Sequence, residues 1–323
     1  QEIIDELLYF KKKYGKPRTS VLIDPVNISN IPEGEFKVIF TKNNYVKKLP
    51  VEFGNGRFKQ DYPTIIVKGS NTKALLIFDE NGRVFRLPIH KIFVSDKNSN
   101  GIDIRTILKG CTSNIVKVIY EPLLEELSKK ITKYYITIVT SNGLIKKMDL
   151  EDFINVPFSG ILYSRLDSDI VKAVNIYHES VDVIVYSKNK ALRMSMKDIP
   201  YQRRNTKGMK SLSSGLVSGM SLIIPKSKEL IVITEKGYIN RIDIVALPNL
   251  GRNKPGTSII KLGRGDSIHS IHSIKPGDKV LKVITNNEKM EIPLDDIKLS
   301  SSIAKGNKII PLKNDNIIST III

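Results

Sequence analysis

The chain has 323 residues, 41% of them apolar, and carries 51 Lys and Arg against 33 Asp and Glu, a net charge of +18. That apolar content can build a full core and excludes global disorder, while the excess of cations implies a polyanionic partner, either nucleic acid or an anionic membrane surface. No apolar run approaches the roughly 18 residues of a spanning helix, and the single Cys111 cannot form an internal disulfide, which fits a reducing, cytoplasmic compartment.

The chain opens Gln1-Glu2, as a piece cut from a longer protein would. Ile3, Ile4, Leu7, Leu8 and Phe10 have helical spacing, so residues 1–15 are expected to form a helix that Gly15 and Pro17 end. Residues 16–35, with Pro25, Pro32 and Gly34, read as a linker or first strand.

From there on the chain repeats. β-rich runs joined by a tight turn recur over 36–53, 73–92, 134–153, 181–199, 228–247 and 278–297. The turns end at Asn44, Gly82, Gly143, Asn189, Gly237 and Asn287, at intervals of 38, 61, 46, 48 and 50 residues. Asn-Gly between apolar runs is a hairpin signal, and Asn is expected to replace Gly where φ is positive. A period of about 48 holds four strands with their turns, which suits a propeller blade. After each turn the second run alternates polar and apolar residues. Its first polar position is Lys48, Arg86, Lys147, Arg193, Arg241 or Glu291, cationic in five of six copies. One buried face and an outward basic ring around the rim are the expectation.

A second landmark lies 19 residues past four of the turns, at Gly101, Gly208, Gly256 and Gly306, and 17 past the third, at Gly160. The most cationic loop leads to one of these: Gln202, Arg203, Arg204, Lys207 and Lys210 crowd the stretch that contains Gly208. Arg252 and Lys254 hold the same place in the fifth copy. Cations with amide donors on a loop suit phosphate oxygens. Residues 120–133 read as a helical insertion, and the Ile-rich run 317–323 as a strand closing the last blade onto the first.

Enzyme chemistry has little support in these residues. His269 and His272 lack the Cys or carboxylate neighbours of a metal site. Asp149, Glu151, Asp152, Asp295 and Asp296 read as solvated loop carboxylates. Neither a phosphate-cradling glycine loop nor a nucleophile elbow occurs.

Gln202-Arg203-Arg204-Asn205-Thr206-Lys207-Gly208 resembles the Gln-Arg-Arg-Gly-Gly-Lys-Gly box of gyrase A proteins at five of seven positions. Residues 41–48 and 234–241 resemble the family's blade signature, and residues 3–18 the end of the coiled-coil arm before its C-terminal domain. The resemblance implies an all-β, six-bladed β-pinwheel over residues 36–323: the C-terminal domain of the A subunit of a bacterial-type IIA DNA topoisomerase, bending double-stranded DNA around a basic rim. By the same resemblance it would work with an ATPase B subunit, besides the remainder of the A subunit, in an A2B2 enzyme. ATP, Mg and the cleavage chemistry would act outside this segment, which would need no cofactor and be inactive alone. The DNA contacts expected are Lys47, Lys48, Arg86, Lys147, Arg193, Arg241, Gln202, Arg203, Arg204, Lys207, Lys210, Arg252 and Lys254. The gyrase box belongs after the first blade, where residues 53–63 lack it, and this resembles topoisomerase IV more than gyrase. A gyrase-type wrapping domain, and a propeller that meets an acidic protein, are the alternatives.

Overall fold

The computed structural model describes residues 31–54, 56, 58, 61–300, 303–312 and 315–323, with Ile4 and Lys13 besides. It divides into two compact units, Gln1–Pro32 and Glu33–Ile323. Ile4 and Lys13 are helical; the rest of the expected arm helix and most of the linker lie outside the described residues.

Six hairpins frame residues 33–323, and the repeat read from the turns is the repeat of the fold. They are Glu35–Thr41 with Tyr45–Pro50, Ala74–Asp79 with Arg83–Pro88, Tyr134–Thr140 with Leu144–Asp149, Asp182–Ser187 with Ala191–Ser195, Glu229–Thr234 with Tyr238–Asp243, and Val280–Thr285 with Lys289–Pro293. A third strand in each blade pairs antiparallel with the first strand of its hairpin. These third strands are Pro63–Ser70, Ile115–Tyr120, Val171–His178, Val217–Ile223, Ile268–Ser273 and Ile317–Ile322. The register slips once in each pair, beside the turn, and the bulge adds local twist. The architecture is all-β, with six blades in a propeller-like ring.

Blades exchange strands. The segment after each hairpin returns to the outer strand of the blade before it: Ile102–Asp103 pairs with the first blade, Ile161–Leu162 with the second, Met209–Lys210 with the third and Asn307–Lys308 with the fifth. Thr257 makes the same return to Ala191 of the fourth as a single bridge. The glycine landmark explains how. Gly101, Gly160, Gly208, Gly256 and Gly306 all have positive φ. A Cβ there would meet the carbonyl oxygen of Val46, Val84, Ile145, Ala191 or Ile239, two residues past the turn of the preceding blade. Only glycine lets the crossing chain approach that closely in a left-handed conformation.

The turns divide into two kinds. Asn44, Gly82, Gly143 and Gly237 have positive φ, and each donates its N–H to the residue three before it. In the same four turns the Thr41, Asp79, Thr140 or Thr234 side chain accepts from the next backbone N–H. Asn189 and Asn287 do not have positive φ, contrary to expectation. Their turns close through the pairs Ser187–Lys190 and Thr285–Glu288, leaving two residues at the tip.

The expectation of one buried face per strand needs correction. Every residue of Ala74–Asp79 is buried. A propeller stacks sheet on sheet, so both faces of each inner strand are covered. Five apolar cores, each shared by two consecutive blades, run from the first blade to the sixth. At the seam between sixth and first, Phe58, Tyr62 and Pro63 face Ile284–Lys289 across a cavity of about 420 Å³. The Ile-rich end pairs with Val280–Thr285 of its own blade, not with the first. The insertion is a helix over Glu121–Ser128, whose Leu124 and Leu127 enter the core between the second and third blades.

Candidate nucleic-acid interface

The five cations expected on an outward ring have inward or paired heads. Lys48 is 3% exposed; its Nζ donates to Asn71 Oδ1 at 2.6 Å and to the Ile89 carbonyl of the next blade at 3.2 Å. Lys147 is 5% exposed and donates to Glu179 Oε1 at 3.0 Å and the Met196 carbonyl at 3.2 Å. Arg193 spans Asp182 at 2.8 Å and the Leu247 carbonyl at 3.4 Å. Arg241 spans Glu229 at 2.6 Å and the Leu294 carbonyl at 2.8 Å. Arg86 forks onto Glu121 of the inserted helix at 2.5 and 2.9 Å. The carbonyls belong to the short 3₁₀ turns that end each hairpin, over Ile89–Lys91, Met196–Asp198, Ile244–Ala246 and Leu294–Asp296, or to the residue that caps them. At four of the five positions the cation reaches a turn carbonyl of the following blade, and at the fifth Arg86 pairs with Glu121, so one sign at one position does not mark a rim. Burial pushes the Lys48 ammonium down to about 8.

Lys47 is also interior, donating to the Lys97 and Ser99 carbonyls at 2.7 Å each. Its counterpart in the third blade is Lys146, a residue that the alternating pattern passed over. Lys146 is fully buried and donates to the carbonyls of Arg203, Arg204 and Thr206 at 3.3, 2.7 and 2.7 Å. Burial pushes it, too, down to about 8.

The box-like loop keeps several of its cations at the surface. Arg203, Asn205, Lys207 and Lys210 are exposed, while Gln202, Arg204 and Thr206 are half-buried. Gln202 Oε1 accepts from the Thr206 hydroxyl at 2.8 Å, which braces the loop. Lys207 pairs with Asp167 and holds that carboxyl below the usual carboxylate range. Water screens such an exposed pair, so a phosphate can displace the carboxylate. Lys210 Nζ donates to the Asn142 carbonyl at 2.6 Å. Arg203 and Arg204 make no side-chain hydrogen bond or ion pair among the described residues.

Tertiary structure adds the fifth blade's loop to this one. Asn253 N–H donates to the Ser211 carbonyl at 2.6 Å, Ser213 N–H to the Lys254 carbonyl at 2.9 Å, and Arg252 reaches the Met209 sulfur at 3.7 Å. Arg203, Arg204, Lys207 and Lys210 are thereby joined to Arg252 and Lys254 in one basic stretch, although about forty residues separate the loops in sequence. His269 meets Glu235 at 3.3 Å and His272 meets Thr320 at 2.7 Å.

A model of the family described as "DNA gyrase C-terminal domain, beta-propeller" matches residues 38–52, 134–176, 187–214, 228–287 and 292–323. The gyrase A protein of Staphylococcus epidermidis is 24% identical over 347 residues, covering 99% of this chain and 38% of that protein. The gyrase A protein of Borrelia hermsii is 24% identical over 341 residues, covering 98% and 41%. The chain thus spans about two fifths of the length of these relatives. The crystal structure of a DNA topoisomerase IV C-terminal domain superposes with a TM-score of 0.73 at 18% identity, covering 91% of this chain and 94% of that one. A DNA gyrase A C-terminal domain superposes at 0.68, also at 18% identity, covering 88% and 98%. With its repeat, its strand exchange and this match over more than half its length, the chain belongs to the DNA gyrase C-terminal domain β-propeller family.

Proposed function

We propose that this domain binds and bends duplex DNA for a type IIA topoisomerase, through the surface formed by its fourth- and fifth-blade loops. The observation that carries this reading is the docking of those loops, which joins the stretch bearing Arg203, Arg204, Lys207 and Lys210 to the one bearing Arg252 and Lys254, in a chain of net charge +18. Cations so placed release condensed counterions from the duplex. Bending a few tens of base pairs costs about 1–6 kcal/mol, which several phosphate contacts offset. Lys47, Lys48 and Lys147 contribute through the fold, since their ammonium groups are interior.

The test is duplex affinity against salt. About six phosphate contacts give a slope of log K against log[salt] near −5. A slope near zero would reject the reading. Reversing Arg203, Arg204 and Lys207 to Glu should weaken binding while the circular-dichroism spectrum stays unchanged.

The finer reading is a topoisomerase IV-like domain that presents DNA to the remainder of the A subunit, in an enzyme completed by an ATPase B subunit. The loop after the first hairpin lacks a box, which favours bending over a handed wrap. Ligating nicked plasmid in the presence of the domain tests this. Unchanged linking number supports the topoisomerase IV type, and a positive shift supports the gyrase type.

A further inference from the structure

Lys146 sits beneath the basic loop and touches none of its side-chain charges. Its Nζ lies 3.3, 2.7 and 2.7 Å from the carbonyl oxygens of Arg203, Arg204 and Thr206, and 3.4 Å from Thr206 Oγ1. The chain curls around one ammonium with its carbonyls inward. Side chains along the curl therefore alternate, with Arg203, Asn205 and Lys207 exposed and Gln202, Arg204 and Thr206 half-buried. No carboxylate hydrogen-bonds or pairs with Lys146 among the described residues.

The fold itself does not require a lysine here. The equivalent position, three past the turn, holds Phe85, Leu192, Asn240 and Met290 in the other blades, and Lys47 in the first. Asn240 holds one carbonyl, that of Ala304, at 3.4 Å. Phe85 and Leu192 are simply buried apolar residues. Lys47 holds the second blade's loop 95–101 through Lys97 and Ser99, and that loop carries a single cation. Among the described residues, Lys146 holds three carbonyls, and the loop it holds is the most cationic one.

We infer that Lys146 is a positioning residue for polyanion binding: it makes no phosphate contact but fixes the Arg203–Lys207 backbone so that these cations project together. The inference rests on the reading of the loop as a DNA surface. A pre-set loop avoids paying ordering entropy when phosphate arrives. A mobile one, in which each cation must be ordered separately, binds more weakly.

The experiment is a double-mutant cycle, read as affinity for a mixed-sequence duplex oligonucleotide at neutral pH and constant salt. Lys146→Leu uses the residue that the fourth blade already carries there; if it does not fold, Lys146→Asn copies the fifth. The expected loss is about tenfold in the wild-type background and less than about twofold when Arg203 and Arg204 are already Ala. Lys47→Leu, which removes the same charge from the same register, should stay within about twofold throughout. In the DNA-free protein, amide exchange at Thr206 and Gly208 should speed up in Lys146→Leu. Equal losses in both backgrounds, an equal loss for Lys47→Leu, or unchanged amide exchange would overturn the inference and leave DNA binding intact. If the wild type shows no salt-dependent binding, the DNA reading fails and takes this inference with it.

Discussion

Arg241 Nη1 in the fifth blade lies 2.8 Å from the carbonyl oxygen of Leu294 in the sixth, while its Nε holds Glu229 at 2.6 Å. The guanidinium also reaches the Ile297 carbonyl at 3.2 Å. One side chain thus ties its own hairpin to the turn that ends the next. Arg193 repeats the arrangement between the fourth and fifth blades. Replacing Arg241 with Met keeps the stem but leaves two carbonyls and a carboxylate short of a donor. Loss of charge-assisted bonds of this kind costs about 1.5–3 kcal/mol. Urea unfolding should show a lower midpoint, and duplex affinity at low denaturant should change far less than in the Arg203, Arg204 and Lys207 reversal.

Lys48 gives a pH signature. Its folded-state value is down at about 8 because burial disfavours the charge, against an ordinary 10.5 in the unfolded chain. Between these values the unfolded state binds more protons, so this group's contribution to stability rises with pH. Below about pH 8 the buried charge is a standing penalty. The difference in unfolding free energy between wild type and Lys48→Met should therefore move in favour of the wild type from pH 8 to pH 10. A flat difference would mean that Lys48 titrates as it does in water.

The crossing glycines separate two effects. Gly208 has φ of +100° and a Cβ there would lie 3.1 Å from the Ile145 carbonyl oxygen. Gly251 has φ of +70° and open space around it. Gly251→Ala meets only the backbone strain, about 1 kcal/mol, while Gly208→Ala adds a steric conflict at the strand exchange and should cost about 2–3 kcal/mol. Thermal melts of the two variants check the order.

Cys111 is buried, and its thiol is pushed up to about 12, chiefly by burial and further by Asp79. The thiolate fraction at pH 8 is negligible. A thiol reagent should leave the native protein unmodified and label it stoichiometrically in denaturant.

The blades are legible in the sequence because their signals are local. A turn residue, two flanking apolar runs and a glycine about 19 residues later recur wherever a hairpin hands a strand back to its predecessor. Asn189 and Asn287 depart from the expected positive φ because their tips, closed by Ser187–Lys190 or Thr285–Glu288, hold two residues and lack the third, left-handed place that Asn44 and Gly82 fill. The cationic loop is legible as a loop. Its partnership with Arg252 and Lys254 is not, since no spacing in the chain announces that Asn253 will donate to Ser211.

Residue order alone determined the six-fold repeat and the tight turns, because each depends on neighbours within a few residues; it marked the recurring glycines, but the carbonyl of the preceding blade that each one meets came from the tertiary structure. Tertiary structure decided which way the cations face. Alternation along a strand tells one side of a sheet from the other, but in a ring of stacked sheets the second side is covered by the next blade. Lys48, Lys147, Arg193 and Arg241 therefore reach carbonyls of that blade, while the loops that carry Arg203 and Arg252 dock onto each other.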